Sequence, residues 1–157
     1  MATREEIVAG LQMTVEQGKR SVGLFADGEW EAERASGWTP KQVYGHLAAT
    51  AGIVPGMAGG LAAAPEGTDI AAGLDIDAMN AQAVGGMESM SQEQTMAAFE
   101  ANYAKLIDFI KELPDEQLNA KRRFFSESIP VSDILANSIM LHGLHHVYEA
   151  QNRLAGP

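Results

Sequence analysis

Three segments of this chain open as helices do, with a hydroxyl residue followed three positions later by Glu or Gln: Thr3 with Glu6, Thr39 with Gln42 and Ser91 with Gln94. In such a capping box the hydroxyl accepts an orphan backbone N–H and the longer side chain reaches back to the cap's own N–H. Apolar residues at helical spacing follow each box. After Thr3 they are Ile7, Leu11, Val15, Val22 and Phe25, up to a stop at Asp27-Gly28. After Thr39, with Pro40 at the first helical position, Val43, His46, Leu47 and Thr50 share one face. After Ser91 the run Met96, Phe99, Tyr103, Leu106, Ile110 and Leu113 steps by 3, 4, 3, 4 and 3, a bundle seam closed by Pro114. A fourth helix is expected from Val131, behind Pro130, to about Arg153. No strand is expected, because the longest β-like piece, Arg123 to Ile129, is interrupted by Ser126, Glu127 and Ser128. The expected architecture is all-α, a single four-helix-bundle domain over residues 1–157. A long crossover, about Val54 to Met90, separates helices two and three, with a short helix near Asp77 to Val84.

Composition narrows the function. The 157 residues include 21 acidic and 11 basic side chains, a formal net charge of −10 that argues against a nucleic-acid partner. From Gln42 to Ala104 there is no Lys or Arg but there are seven acids, among them Glu66, read as a solvated acidic surface, or alternatively as repulsion of anionic ligands or attraction of cations near a site. The basic run Lys121-Arg122-Arg123 reads as a solvated loop, or alternatively as an anion-contacting edge beside a pocket. The absence of cysteine excludes a disulfide scaffold, Cys-ligated zinc and a cysteine nucleophile. Leu47 to Ala64 is uncharged, but Pro55 and four glycines break it, so no membrane span is expected. With no signal-like N-terminal run, the expected location is cytoplasmic.

Of four histidines, His142, His145 and His146 fall within five residues. On a helix, His142 and His146 are separated by about 40° around the axis and about 6 Å along it, so both can face one ion. His145 is turned about 100° from His146 and reads as a flanking surface or interface residue. Glu149, one turn beyond His146, is either a partner that orients a ligand or half of a surface ion pair, with the surface pair preferred. His46 lies on the inward face of helix two. It is either a satisfied core residue or a third ligand.

Two segments resemble a known family. Trp38-Thr-Pro-Lys-Gln-Val-Tyr-Gly-His46-Leu is similar to the helix-two motif of the DinB/YfiT-like superfamily, which is related to the mycothiol-dependent maleylpyruvate isomerase N-terminal domain. Val131 to His146 is similar to its last-helix motif. The resemblance implies a four-helix bundle holding one divalent ion on His46, His142 and His146. It also implies homodimers, small-molecule substrates and chemistry using a low-molecular-weight thiol such as bacillithiol or mycothiol. The isomerase branch tends to carry Glu where this chain has His142, so the all-histidine set looks more like the DinB/YfiT branch.

The expected function is that of a metal-dependent enzyme. An ion on three neutral imidazoles keeps its charge and an open position for metal-assisted hydrolysis or thiol S-transfer. The ion is expected to be one of Zn, Ni, Fe, Cu or Mn. The catalytic group is then a metal-bound water or an external thiol, since no paired nucleophile and base is evident. The competing expectation is a non-catalytic, metal-binding, dimerising bundle, motivated by Ile139, Met140, Leu141, Leu144 and Val147, which make the last helix apolar on several sides.

Overall fold

The computed structural model describes residues 1–65, 68, 69, 73, 75–124 and 127–152, with residues 61–63 described by their backbone alone. Glu66 of the acidic crossover, Ser126 of the interrupted β-like piece and the expected helix end at Arg153 lie outside the described residues. The chain is mainly helical: α1 (Arg4–Val22), α2 (Pro40–Ala63), α3 (Ile76–Met87), α4 (Gln92–Glu112), α5 (Asp115–Asn119), α6 (Val131–Leu135) and α7 (His142–Gln151). A π-helical stretch, Ala136–Leu141, joins α6 to α7. The long elements α1, α2, α4 and the α6–α7 helix form the expected bundle.

All three capping boxes are made. Thr3 and Glu6 exchange their bonds at α1, and Ser91 and Gln94 do so at α4. At α2, Gln42 N donates to Thr39 Oγ1 at 3.2 Å and Thr39 N donates to Gln42 Oε1 at 2.8 Å. The α4 seam lies inward, with Phe99, Tyr103, Leu106, Ile110 and Leu113 buried and Met96 packed against the core. Ile7 and Leu11 of α1 and Val43, Tyr44 and Leu47 of α2 complete the centre. Tyr44 stacks on Trp30 with ring centroids 5.7 Å apart, and its hydroxyl donates to the Gly18 carbonyl at 3.1 Å.

Three expectations are corrected. First, helix one ends at Val22, and Gly28 (φ 82°) then opens a short 3-10 turn, Glu29–Glu31, that buries Trp30. Second, α2 continues through Pro55 to Ala63, so the crossover starts later than Val54. Ala51, Val54 and Ala58 are buried, and that packing outweighs the cost of an internal proline. Third, the basic run is a strand and not a loop. β1 (Lys121–Phe124) pairs antiparallel with β2 (Glu127–Pro130), Arg122 opposite Ile129. Along β1 the partly buried residues Arg122 and Phe124 alternate with exposed Lys121 and Arg123, a period of two that the polar side chains conceal. Asp69 of the crossover forms an isolated bridge with Arg123. Ile139 and Val147, read as possible partner-facing residues, turn into the chain's own core, whereas Leu141 is half exposed. Among the described residues no helix is long and apolar enough to cross a membrane.

Candidate metal centre

α2 delivers His46 and α7 delivers His142 and His146 to one place. Nε2 of His142 lies 3.1 Å from Nε2 of His46 and 3.1 Å from Nε2 of His146. The fold thus brings together the three histidines expected from the sequence, their candidate ligand atoms all within 4.8 Å of one another. His145 is exposed, its ring edge-on to His146 at 5.4 Å, and it is not part of the trio.

The trio does not satisfy itself. A ring nitrogen has one in-plane site, filled by a proton or a lone pair, so Nε2 of His142 can serve only one of its two contacts. A cation at the centre would satisfy all three lone pairs. Tetrahedral zinc with Zn–N bonds of about 2.0–2.1 Å spaces its nitrogens by about 3.3 Å, close to the two 3.1 Å separations at His142. The rings are suited to donate. Burial, and then the charge on His146, lower His46 from 6.5 to about 4, while burial and the neighbouring histidines lower His142 to about 3. Both rings therefore present lone pairs at neutral pH.

Each ring is held differently. Nδ1 of His146 contacts Glu149 Oε2 at 2.5 Å, and both side chains are more than four-fifths buried. The surface-pair reading of Glu149 is therefore corrected: one helical turn brings the carboxylate into the site. It fixes the proton on Nδ1 and turns Nε2 inward. Trp38 stacks on His146 (5.9 Å, 7° between planes) and meets His46 edge-on (5.3 Å). It thus packs on two of the three rings. Nδ1 of His46 is buried with no hydrogen-bond partner among the described residues, so packing fixes that ring.

Two supporting features escaped the sequence reading. Arg34 is buried: its Nε donates to the Ala150 carbonyl at 2.9 Å and its Nη2 to the Glu29 carbonyl at 3.1 Å. It ties the Trp30 turn to the end of α7, beside Glu149. Gly37, with φ of 86°, closes a tight turn in which Arg34 N donates to the Trp38 carbonyl, and that turn presents the indole. The only sequence signal was a lone Arg near a glycine. The π-helical stretch was also unforeseen. It shifts the register by one residue just before His142, a common position for such an insertion near a functional site.

A cavity of about 650 Å³ adjoins the trio, with His46 and His142 in its wall. It runs between α2, α3, the end of β1 and the α6–π segment.

A helical bundle with one long crossover and a three-histidine cluster of candidate metal ligands is the class this fold and site define. The family model for the mycothiol maleylpyruvate isomerase N-terminal domain matches residues 13–145, and the chain belongs to that family, within the DinB/YfiT-like superfamily. Solved structures agree on the fold. The mycothiol-dependent maleylpyruvate isomerase superposes with a TM-score of 0.73 at 14% identity over 96% of this chain, and a histidine-to-alanine mutant of that isomerase with 0.74. This chain spans 62% of the length of that isomerase. YfiT from Bacillus subtilis, described as a probable metal-dependent hydrolase with an unusual four-helix bundle topology, superposes with a TM-score of 0.72 at 18% identity, over 94% of this chain and 83% of its own. Comparison with curated protein sequences returned no match.

Proposed function

We propose that this bundle is a divalent-metal-dependent enzyme acting on a small molecule, its ion held by Nε2 of His46, His142 and His146. The observation that carries the reading is the convergence of three inward imidazoles on a point beside a cavity that two of them line. A structural ion is usually closed off by four protein ligands, whereas a catalytic one keeps a position for water or substrate. Only these three residues form a candidate ligand cluster among the described residues.

When bound, the ion would lower the pKa of a water or thiol, or polarise a carbonyl. The protein's own parts have distinct tasks. Glu149 keeps the proton on Nδ1 of His146 and so sets its tautomer. Trp38 covers one side of the cluster and limits water there. The cavity holds the substrate against His46 and His142. Hydrolysis is the reading in which nothing beyond water is required. Transfer of an external thiol is the second reading, favoured by the family match. With no cysteine in the chain, that thiol must come from outside.

Elemental analysis of protein purified without added metal tests the assignment. One equivalent of a transition metal is expected in the wild type and almost none in His142→Ala. Full occupancy in that variant overturns the ligand set. The loaded protein should then hydrolyse neutral esters or consume an electrophile in the presence of a thiol, and the variant should do neither.

A further inference from the structure

Among the described residues, the cavity wall contains neither an acid nor a base other than the two histidines. Its polar side chains, Thr50, Asn80, Asn137 and Ser138, are all neutral. The larger part is apolar, including Ile53, Met57, Ile76, Met79, Phe124 and Ile139. Ile53, Met57 and Ile76 are each at least 40% exposed, so three large apolar side chains stand in water around one hollow. Such a cluster marks a binding surface, because its burial by a ligand is favourable.

Charge is excluded by the same wall. A carboxylate moved from water into an apolar hollow loses its hydration, and no described Lys or Arg in this wall replaces it. Lys121 and Arg123 of β1 are exposed, and Phe124 is the β1 residue that reaches the cavity. Arg122, on the same strand face as Phe124, donates to the Lys121 carbonyl and is not in the wall. Asp75 and Asp77 at the start of α3 are exposed and add repulsion. An ion on the histidines would meet an anionic group only at the histidine end. A second negative charge further along the hollow meets no counter-charge.

We infer that this cavity takes an uncharged small molecule with an apolar body and a single polar, reactive end, and that it rejects dicarboxylates. The inference rests on the metalloenzyme reading only in treating this hollow as the substrate site. It sets the chain apart from a relative whose name specifies a keto-diacid. The two methionines, unbranched and flexible, suit a range of apolar shapes over one rigid outline.

The test is calorimetric, with hexan-1-ol, octan-1-ol and octanedioate titrated into metal-stripped and metal-loaded protein. In the stripped protein octan-1-ol should bind about tenfold more tightly than hexan-1-ol, the increment of two buried methylenes. Octanedioate should bind at least tenfold more weakly than octan-1-ol in both forms. Met57→Lys, at a site 40% exposed and so tolerant of charge, should narrow or reverse that preference. Octanedioate binding as tightly as octan-1-ol to the wild type, or no measurable binding of the alcohol, overturns the inference. Binding of octan-1-ol by a protein that takes up no metal leaves this inference standing and removes the metalloenzyme reading.

Discussion

Glu149 Oε2 sits 2.5 Å from Nδ1 of His146, one helical turn away and turned in from solvent. The carboxylate decides which nitrogen of that ring faces the cluster. Glu149→Gln keeps the shape but weakens this control. We expect metal affinity to fall by about 10–100-fold, the usual cost of losing such a partner, with the fold intact. Competition against a chromogenic chelator measures it, and unchanged affinity would mean that Glu149 only packs.

The stability of the metal-stripped protein should depend on pH through His46 and His142. Both folded values, about 4 and about 3, lie below the ordinary 6.5. As pH falls below about 6.5 the unfolded chain takes up protons that the folded chain refuses, so stability falls with it. The loss continues until the folded rings themselves protonate, near pH 4 for His46 and near pH 3 for His142. Urea midpoints of the stripped protein should therefore drop as the pH is lowered from neutral towards the folded value of His46, about 4. Replacing both rings by Asn should flatten that slope.

Gly143 follows His142 directly. A Cβ there would lie 2.7 Å from the Tyr103 hydroxyl and 3.0 Å from Thr14 Cγ2, both on buried side chains. Gly143→Ala gains roughly 1 kcal/mol of helix propensity. Overpacking costs about 1–3 kcal/mol, so net destabilisation is expected. The displaced turn also carries His142, so metal affinity should fall in parallel, as urea denaturation and metal titration of one preparation would show.

Arg34 contacts two carbonyls with separate guanidinium nitrogens. Lysine has no fork and cannot reproduce both bonds. Arg34→Lys should cost about 2 kcal/mol, the scale of one charged hydrogen bond lost from a buried site. A stability equal to the wild type would show that packing of Arg34 on Phe25, not its bonding, holds the turn.

What could be read from the sequence was what repeats or pairs locally. Capping boxes are closed within four residues, and the α4 seam needs only its own spacing, so both are legible without tertiary information. The same holds for His142 and His146, whose geometry belongs to one helix. His46 needed the family resemblance, because nothing local links it to residues so far along the chain. The β1–β2 hairpin was hidden because three of the four β1 residues are Lys or Arg, and their stems conceal the alternation. Continuation of α2 through Pro55 depends on burial of Ala51, Val54 and Ala58, which spacing alone does not disclose. The carboxylate of Glu149 was visible, but its burial was not, because Trp38 and the rings that enclose the site arrive from other parts of the chain.

His46 and His142 stand 96 positions apart, on helices that meet only once the bundle has closed. An ion held by both rings is therefore a reversible cross-link across most of the chain, and the unfolded chain has no equivalent site. Each tenfold rise in free metal above its dissociation constant should deepen the folded well by about 1.4 kcal/mol. Occupancy and resistance to unfolding then become one quantity, and metal scarcity would register as a loss of protein as well as a loss of turnover.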